Sequence, residues 1–447
     1  MDTAELLKRL GDDGIEHLWV IYHDYSGRSC AKTVPRQRFA RTIEQGVVFA
    51  RANLDFTLED HQAAGAAFLA DTGDFLAVPD PDSYAAIPYR AATARTHVFM
   101  RANAEGDLWE GCPRTQLVKM IEAYAAEGLS VQVGFEAEFT LFSKTAEGGY
   151  EHADHDGMFT VAGLDRHASL WSQMVTTLAA MGVTVLQHGK EYGPGQYEMT
   201  TRHAPPLKAA DDYATLKEVV RALAREAGWI ATFMPKPYAE WAGNGLHLHL
   251  SLWDPAGKHD LTVGEKADEP LSQLGRHFLG GLLAHASSLT GIGAPTVNSY
   301  KRLLPGSWAP AHVCWGVGNR ATLVRIPALG QRRHVEFRSG DNAINPFVYL
   351  TAVLAAGLHG IRQQIEPPEP IDYDVGHLSD QEAASRGVAR LPDNLTDALA
   401  ALEADEVIAA ALGTIIFPEF LKVKRTELAA YNLHVHPWER KLYLEAI

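Results

Sequence analysis

The sequence predicts an α+β protein in two parts: a small β-rich unit ahead of roughly residue 105, and one large mixed domain over 106–447. Three features point to it. Before residue 105, short alternating segments are broken by turn residues. Beyond it, apolar residues at helical spacing mark several helices, and well-separated strands lie between them. The composition, 46% hydrophobic and 21% charged over 447 residues, supplies material for a large core.

The elements follow in order. Residues 4–11 read as a short helix. Residues 17–34 alternate around Tyr25-Ser26-Gly27, the pattern of a β-hairpin. Pro79-Asp80-Pro81-Asp82 marks a loop, and residues 97–112 read as an extended pair turning at Glu105-Gly106-Asp107. A helix is expected after Cys112-Pro113-Arg114, because Leu117, Met120, Ile121 and Tyr124 fall at helical spacing. Further helices are expected over 166–182, 211–227, 270–290 and 346–362. The last two are apolar almost all round, so they should be buried.

Charge removes partners. With 40 basic and 55 acidic residues the net charge is −15, and no Lys/Arg-rich run interrupts it. Such a surface repels nucleic acid and anionic lipid, so neither is an expected partner. Cys30, Cys112 and Cys314 are odd in number and far apart, which argues against a disulfide framework and a thiolate zinc site. The opening MDTAELLKRL lacks the apolar core of a signal peptide, and no apolar run approaches a membrane span. A cytoplasmic protein is expected.

Three strands carry ionisable groups on one face. From Gly134, Phe135, Ala137, Phe139 and Leu141 fall on one side, and Glu136, Glu138 and Thr140 on the other. From Leu246, the leucines oppose His247, His249 and Ser251. In the segment 334–339, Val335 and Phe337 oppose Glu336 and Arg338. An ordinary solvated sheet face would read this way once. Three strands bearing Glu, His and Arg rather than Lys, Thr and Ser fit a shared cation-filled cleft better. A turn adds to them: Glu191 and Glu198 bracket Tyr-Gly-Pro-Gly-Gln-Tyr, and the Gly-Pro-Gly segment lets the chain double back. Five carboxylates with a histidine suit hard divalent cations, Mg²⁺ or Mn²⁺, far better than zinc or copper.

With these motifs in order, the chain resembles the glutamine synthetase family over nearly its whole length. The resemblance rests on Gly134-Phe-Glu-Ala-Glu-Phe, on Glu191 with Gly193-Pro-Gly-Gln-Tyr-Glu198, and on Phe233-Met-Pro-Lys-Pro237. It continues through Gly243-Asn-Gly-Leu-His-Leu-His249 and Asn298-Ser-Tyr-Lys-Arg302, then Asn319-Arg320 with Arg325-Ile-Pro327, and Glu336-Phe-Arg338 with Asn345-Pro346. It is strongest to the bacterial class I type and its γ-glutamyl–amine ligase relatives, such as γ-glutamylmethylamide synthetases. It implies a β-grasp-like N-terminal domain (1–105) and a catalytic domain (106–447) built on a curved antiparallel sheet with helices. It also implies a homo-oligomer of two stacked six-membered rings, a dodecamer, with active sites between neighbouring subunits.

Carried over position by position, Glu138, Glu191 and Glu198 would hold one divalent ion, and Glu136, His247 and Glu336 a second. Arg302 and Arg338 would bind glutamate beside the Gly243–Asn244 loop. Arg320 and Arg325 would face the transferring phosphoryl group, and His249 with Ser251 would lie near ATP. The implied reaction joins the glutamate γ-carboxylate to an amine through γ-glutamyl phosphate. Phosphorylation is needed because a bare carboxylate offers no leaving group, and arginines suit the phosphoryl oxygens because guanidinium stays charged and bonds two at once.

Two departures concern the amine. Ammonia-using members carry a flap reading Pro-Gly-Tyr-Glu-Ala-Pro, whose glutamate closes the site and assists ammonium. Here the segment is Pro305-Gly306-Ser307-Trp308-Ala309-Pro310, with Trp308 at the acidic position. The Asp-Gly-Ser-Ser segment that a neighbouring subunit supplies to the ammonium site is replaced by Val47-Val-Phe-Ala-Arg-Ala-Asn53, with no acid until Asp55. An indole favours an alkyl or aryl group and attracts an alkylammonium. The expected acceptor is therefore an organic amine, with ammonia as the alternative. A catalytically inactive relative is a remote third reading, disfavoured by six intact candidate ligands. The segment Tyr373-Asp-Val-Gly-His-Leu378 lacks the tyrosine motif of adenylylated members, so adenylylation is not expected.

Overall fold

The computed structural model describes residues 1–103, 106–264, 269–328 and 333–447 as an α+β fold with a β-grasp-like N-terminal sheet and a larger second sheet. The N-terminal sheet starts from the expected hairpin. Strands His17–His23 and Ser29–Pro35 pair antiparallel. Their turn is wider than three residues, running from Asp24 to Arg28, with Arg28 Nε 2.7 Å from Asp24 Oδ2. His17–His23 also pairs in parallel with Thr93–Arg101, which continues antiparallel to Asp74–Pro79 and then to Val47–Ala50 at the edge. The helix Thr3–Asp12 is capped at both ends of its first turn by Asp2 and Glu5 and buries Leu6 and Leu10.

The expected extended pair over 97–112 reduces to the strand ending at Arg101 and a single bridge to Leu108. Glu105 of its turn lies outside the described residues. Among the described residues, the N-terminal sheet uses no strand after Arg101, and the second sheet uses none before Ser130.

Among the described residues, the second sheet has nine strands. Its main path runs Trp315–Val317, Val324–Ile326, Val335–Phe337, Leu246–Trp253, Ser130–Lys144, Gln196–Thr201 and Val185–Lys190. All neighbours on this path are antiparallel except the first pair. The apolar faces read from the sequence pack inward: Phe135, Ala137, Phe139, Leu141, Leu246, Leu248, Leu250, Val335 and Phe337 are all buried.

Helices cover that face. Pro113–Ala126, Ala168–Ala180 and Pro346–Gln363 lie where periodicity places them. The helix expected over 211–227 starts earlier, at Pro206, because a proline is tolerated in a first turn that needs no N–H. The segment expected as one helix over 270–290 forms two, Gln273–Ala284 and Ala286–Gly293. They meet at His285, whose non-helical backbone is held by a 2.7 Å contact from Nδ1 to Asp405 Oδ2.

Pro346–Gln363 is buried along most of its length. Its N-cap, Asn345, ties the two sheets together. The Asn345 amide oxygen accepts from the N–H groups of Phe347 and Val348, and its Nδ2 donates to the carbonyl of Asp24 at 2.8 Å. Replacing it with alanine removes the cap and the cross-link, so Asn345→Ala is expected to cost about 2 kcal/mol. The urea midpoint checks this: a variant melting at the wild-type concentration would deny the cap its role.

Candidate active site

Register builds the site. Because side chains alternate, cross-strand pairing stacks the polar residues of several strands into one row. Glu198 pairs with Glu138, Glu136 with His247, His249 with Glu336, and Glu336 with Arg325. The polar faces predicted separately thus become one continuous surface.

At its centre, ligand atoms of Glu136, His247 and Glu336 all lie within 4.8 Å of one another. His247 Nδ1 is 2.7 Å from Glu136 Oε1 and 3.7 Å from Glu336 Oε1. His249 Nε2 is 3.2 Å from Glu136 Oε2, and its Nδ1 is 2.7 Å from His334 Nε2. Burial works against charge on Glu136, but the hydrogen bonds from His247 and His249 hold its carboxyl well below the usual range. Burial also opposes charge on His249, which the hydrogen bond to Glu136 nevertheless raises. Glu336 is buried, accepts from Arg325 Nη1 at 2.6 Å, and is paired with Arg338. Burial again opposes ionisation there, and Arg338 and the two histidines bring Glu336 down to about 2.

The second trio is arranged differently. Glu138 Oε2 accepts from the Gly245 N–H at 2.7 Å and from Gln196 Nε2 at 3.3 Å. Glu191 and Glu198 are joined by the predicted reversal: Gln196 N–H donates to the Gly193 carbonyl at 3.0 Å, with Pro194 and Gly195 between. Gly195 has φ +62°, which an L side chain rarely adopts. Glu138, Glu191 and Glu198 do not close to the spacing of the first trio. They do share one field. Burial, then the charges of Glu138 and Glu136, raise Glu191 to about 7. Burial, then Glu136, Glu138 and Glu191, raise Glu198 far above the carboxylate range. Crowded carboxyls whose ionisation burial and mutual repulsion oppose are what a divalent cation relieves, and an oxygen-rich set suits Mg²⁺ or Mn²⁺.

The arginines separate into two kinds. Arg302 is buried, donates only to the carbonyls of Ser339 and Arg338 at 3.2 and 3.1 Å, and has no ion pair among the described residues. Arg338 and Arg325 each bond Glu336, and each keeps a buried Nε without a partner among the described residues. Those free donors suit an incoming anion. Arg320 is exposed between the strands Trp315–Val317 and Val324–Ile326, and is in no ion pair among the described residues. Neither Arg320 nor Arg302 is an ordinary surface salt bridge.

The loop at Gly243 packs tightly over Arg302: a Cβ on Gly243 would lie 2.5 Å from the Pro235 carbonyl oxygen and 2.9 Å from Arg302 Cγ. The Asn244 side chain is fully buried and committed to Thr140, Gln196 and the Met234 carbonyl, so it shapes the loop from within. His249 and Ser251 line a cavity of about 260 Å³ with Gly134, Glu136, Thr200 and His334. Ser251 Oγ accepts from Trp253 Nε1 at 2.8 Å. A larger cavity of about 790 Å³ lies elsewhere, between the hairpin and helix Pro206–Glu226, and holds none of the candidate ligands. The smaller one meets the ionisable row at Glu136 and His249.

The flap residue Trp308 and the first acid after Asn53, Asp55, differ sharply. Trp308 is 77% exposed with φ +62°, on a loop whose Ser307 hydroxyl donates to the Arg302 carbonyl at 2.9 Å. Asp55 is 1% exposed, its Oδ2 accepting from Phe68 N–H beside Glu419. It is turned into the fold. His334 and Gln196 escaped the sequence reading, although His334 has the same strand parity as Glu336 and Arg338. Gln196 likewise has the same strand parity as Glu198, and it bonds Glu138, Gly243 and Asn244 at once.

A sheet face of carboxylates and imidazoles, edged by arginines, has the donor chemistry to hold divalent cations and to receive anionic small molecules. Comparison with known proteins narrows the class. Residues 110–443 match the glutamine synthetase catalytic domain. The glutamine synthetase of Halobacterium salinarum is 35% identical over 441 residues, covering 97% of this chain and 94% of its own. That of Thermus thermophilus is 34% identical over 451 residues, covering 99% and 98%. A solved GmaS–ADP complex superposes with a TM-score of 0.87 at 34% identity, covering 98% of this chain and 99% of the other. The chain belongs to the glutamine synthetase family. It is an ATP-dependent ligase that joins glutamate to ammonia or an amine. Among the described residues, no helix is long and apolar enough to cross a membrane.

Proposed function

We propose that this ligase joins the γ-carboxylate of glutamate to an organic amine through γ-glutamyl phosphate. The observation that carries the reading is Trp308, exposed at the flap position where ammonia-using members hold an acid. The burial of Asp55 supports it, since the first acid after Asn53 is withdrawn from the surface. So does the likeness to GmaS, a γ-glutamylmethylamide synthetase.

Each residue then has a task. Arg302 and Arg338, with the Gly243 loop between Pro235 and Arg302, hold the substrate carboxylates by charge and guanidinium geometry. Arg325 and Arg320 offer donors to the phosphoryl oxygens as charge redistributes. His249 and Ser251 border the cavity that takes nucleotide. Glu138, Glu191 and Glu198 would hold one Mg²⁺ or Mn²⁺, and Glu136, His247 and Glu336 another. Bound there, the ions neutralise the negative charge brought together by nucleotide and glutamate. The indole of Trp308 shields the acyl phosphate and attracts the alkylammonium. The reading includes stacked hexameric rings, in which the edge strand Val47–Ala50, with Val48 exposed, faces a neighbour.

Ammonia remains the competing acceptor, because the named relatives at 35% and 34% identity are glutamine synthetases. A steady-state panel decides. A small alkylamine is expected to exceed ammonium in kcat/KM by at least about tenfold, the scale of a well-placed apolar group. Trp308→Ala is expected to lose about 5- to 30-fold for that amine, from about 1–2 kcal/mol of cation–π and packing energy. Ammonium outperforming every amine tested would overturn the proposal.

A further inference from the structure

The turn carrying Glu191 and Glu198 rests on a buried charge. Lys190 ends the strand Val185–Lys190 and is paired with Tyr197, so both point away from the carboxylate face. The Lys190 side chain is fully buried, yet its ammonium donates to the carbonyls of Glu191 at 2.7 Å and Gly193 at 2.6 Å. Both carbonyls belong to the reversal. The remaining side of the ammonium faces Asp154 Oδ1 at 3.7 Å, and Asp154 is also fully buried. The Tyr197 hydroxyl is 2.8 Å from Asp154 Oδ2, and its ring lies 5.5 Å beneath Lys190 Nζ.

Burying a lysine and an aspartate is costly, and an apolar pair of similar volume would commonly be as stable or more so. What an apolar pair cannot do is hold two main-chain carbonyls at once. Those carbonyls set where Glu191 leaves the strand and where the chain re-enters at Glu198. Outer-shell partners of this kind fix how ligand side chains present themselves.

We propose that Lys190, anchored by Asp154 and Tyr197, is a positioning residue that sets Glu191 and Glu198 for a divalent ion. This rests on the reading of Glu191 and Glu198 as ligands. It reaches the ion only through the backbone of the turn, and the trio Glu136, His247 and Glu336 on neighbouring strands does not depend on it.

The test is Mn²⁺ binding, read from the free-ion electron paramagnetic resonance signal with no substrate present. Wild type is expected to show two classes of site. Lys190→Met is expected to weaken one class by about 10- to 100-fold and leave the other within about twofold. The double variant Lys190→Met/Asp154→Asn removes both buried charges together, and so reports the same selective loss if the single variant fails to fold. Both classes keeping wild-type affinity in the double variant would overturn the proposal, as would both weakening equally, which marks a general structural support. A wild-type protein with no saturable Mn²⁺ site would instead sink the ligand assignment itself.

Discussion

Replacing Glu336 with glutamine is expected to lower kcat/KM for ligation by about a thousandfold, near 4 kcal/mol of transition-state stabilisation. The change keeps the shape of the side chain and removes only its charge. Glu336 sits at the crossing of three roles: it lies within 4.8 Å of Glu136 and His247, it pairs with Arg338, and it accepts from Arg325. A neutral amide there withdraws one anionic ligand from the candidate cation site. It also leaves two guanidinium groups without their buried counter-charge, a loss that costs about 3–5 kcal/mol when one partner of a buried pair is removed. The melting temperature should therefore fall along with the rate. Activity within tenfold of wild type would show that Glu336 serves the fold alone.

Divalent ion removal is expected to abolish ligation and to expose a reversed pH dependence of stability. In the metal-free protein, burial and neighbouring carboxylates raise Glu191 to about 7 from an ordinary 4.5. The folded state thus retains a proton that the unfolded state has already lost, and stability declines as pH rises from about 4.5 through 7. Glu198 acts in the same direction. A bound cation favours the ionised forms, so its binding displaces protons and strengthens as pH rises. Saturating Mn²⁺, at about 100 to 1,000 times its dissociation constant, should add about 2.7 to 4.1 kcal/mol. At fixed Mn²⁺ the thermal shift should be small near pH 5 and large near pH 8. Equal shifts at both would mean that these carboxyls do not meet the ion.

Much of the site was readable because strand alternation is a strict rule. Once Phe135, Leu246 and Val335 are assigned inward, Glu136, His247 and Glu336 must share the opposite face, whichever strands come to lie beside one another. The Gly193-Pro-Gly reversal was readable for a similar reason, since Pro194 and Gly195 restrict backbone angles locally. Helix limits were less so. Nothing in residues 270–290 announces a break at His285, because the bond that holds it comes from Asp405, far along the chain. The helical run Glu406–Leu433 is interrupted at Gly413, where the backbone leaves helical angles and one helix gives way to another, and carries Pro418 beyond it, so the sequence does not announce it.

The sequence by itself determined which side chains could share a face and that this face would be ionic over an apolar core. Those are consequences of periodicity and residue chemistry, which act over a few neighbours. Only the tertiary structure decided that Glu336 binds two arginines, that Asp55 turns inward toward Glu419, and that Lys190 sits buried under the turn it steadies. Asp55 and Glu419 lie far apart in the chain, whereas Glu336 with Arg338 and Lys190 with its turn are near neighbours; in each case burial and register come from how whole strands and helices pack together.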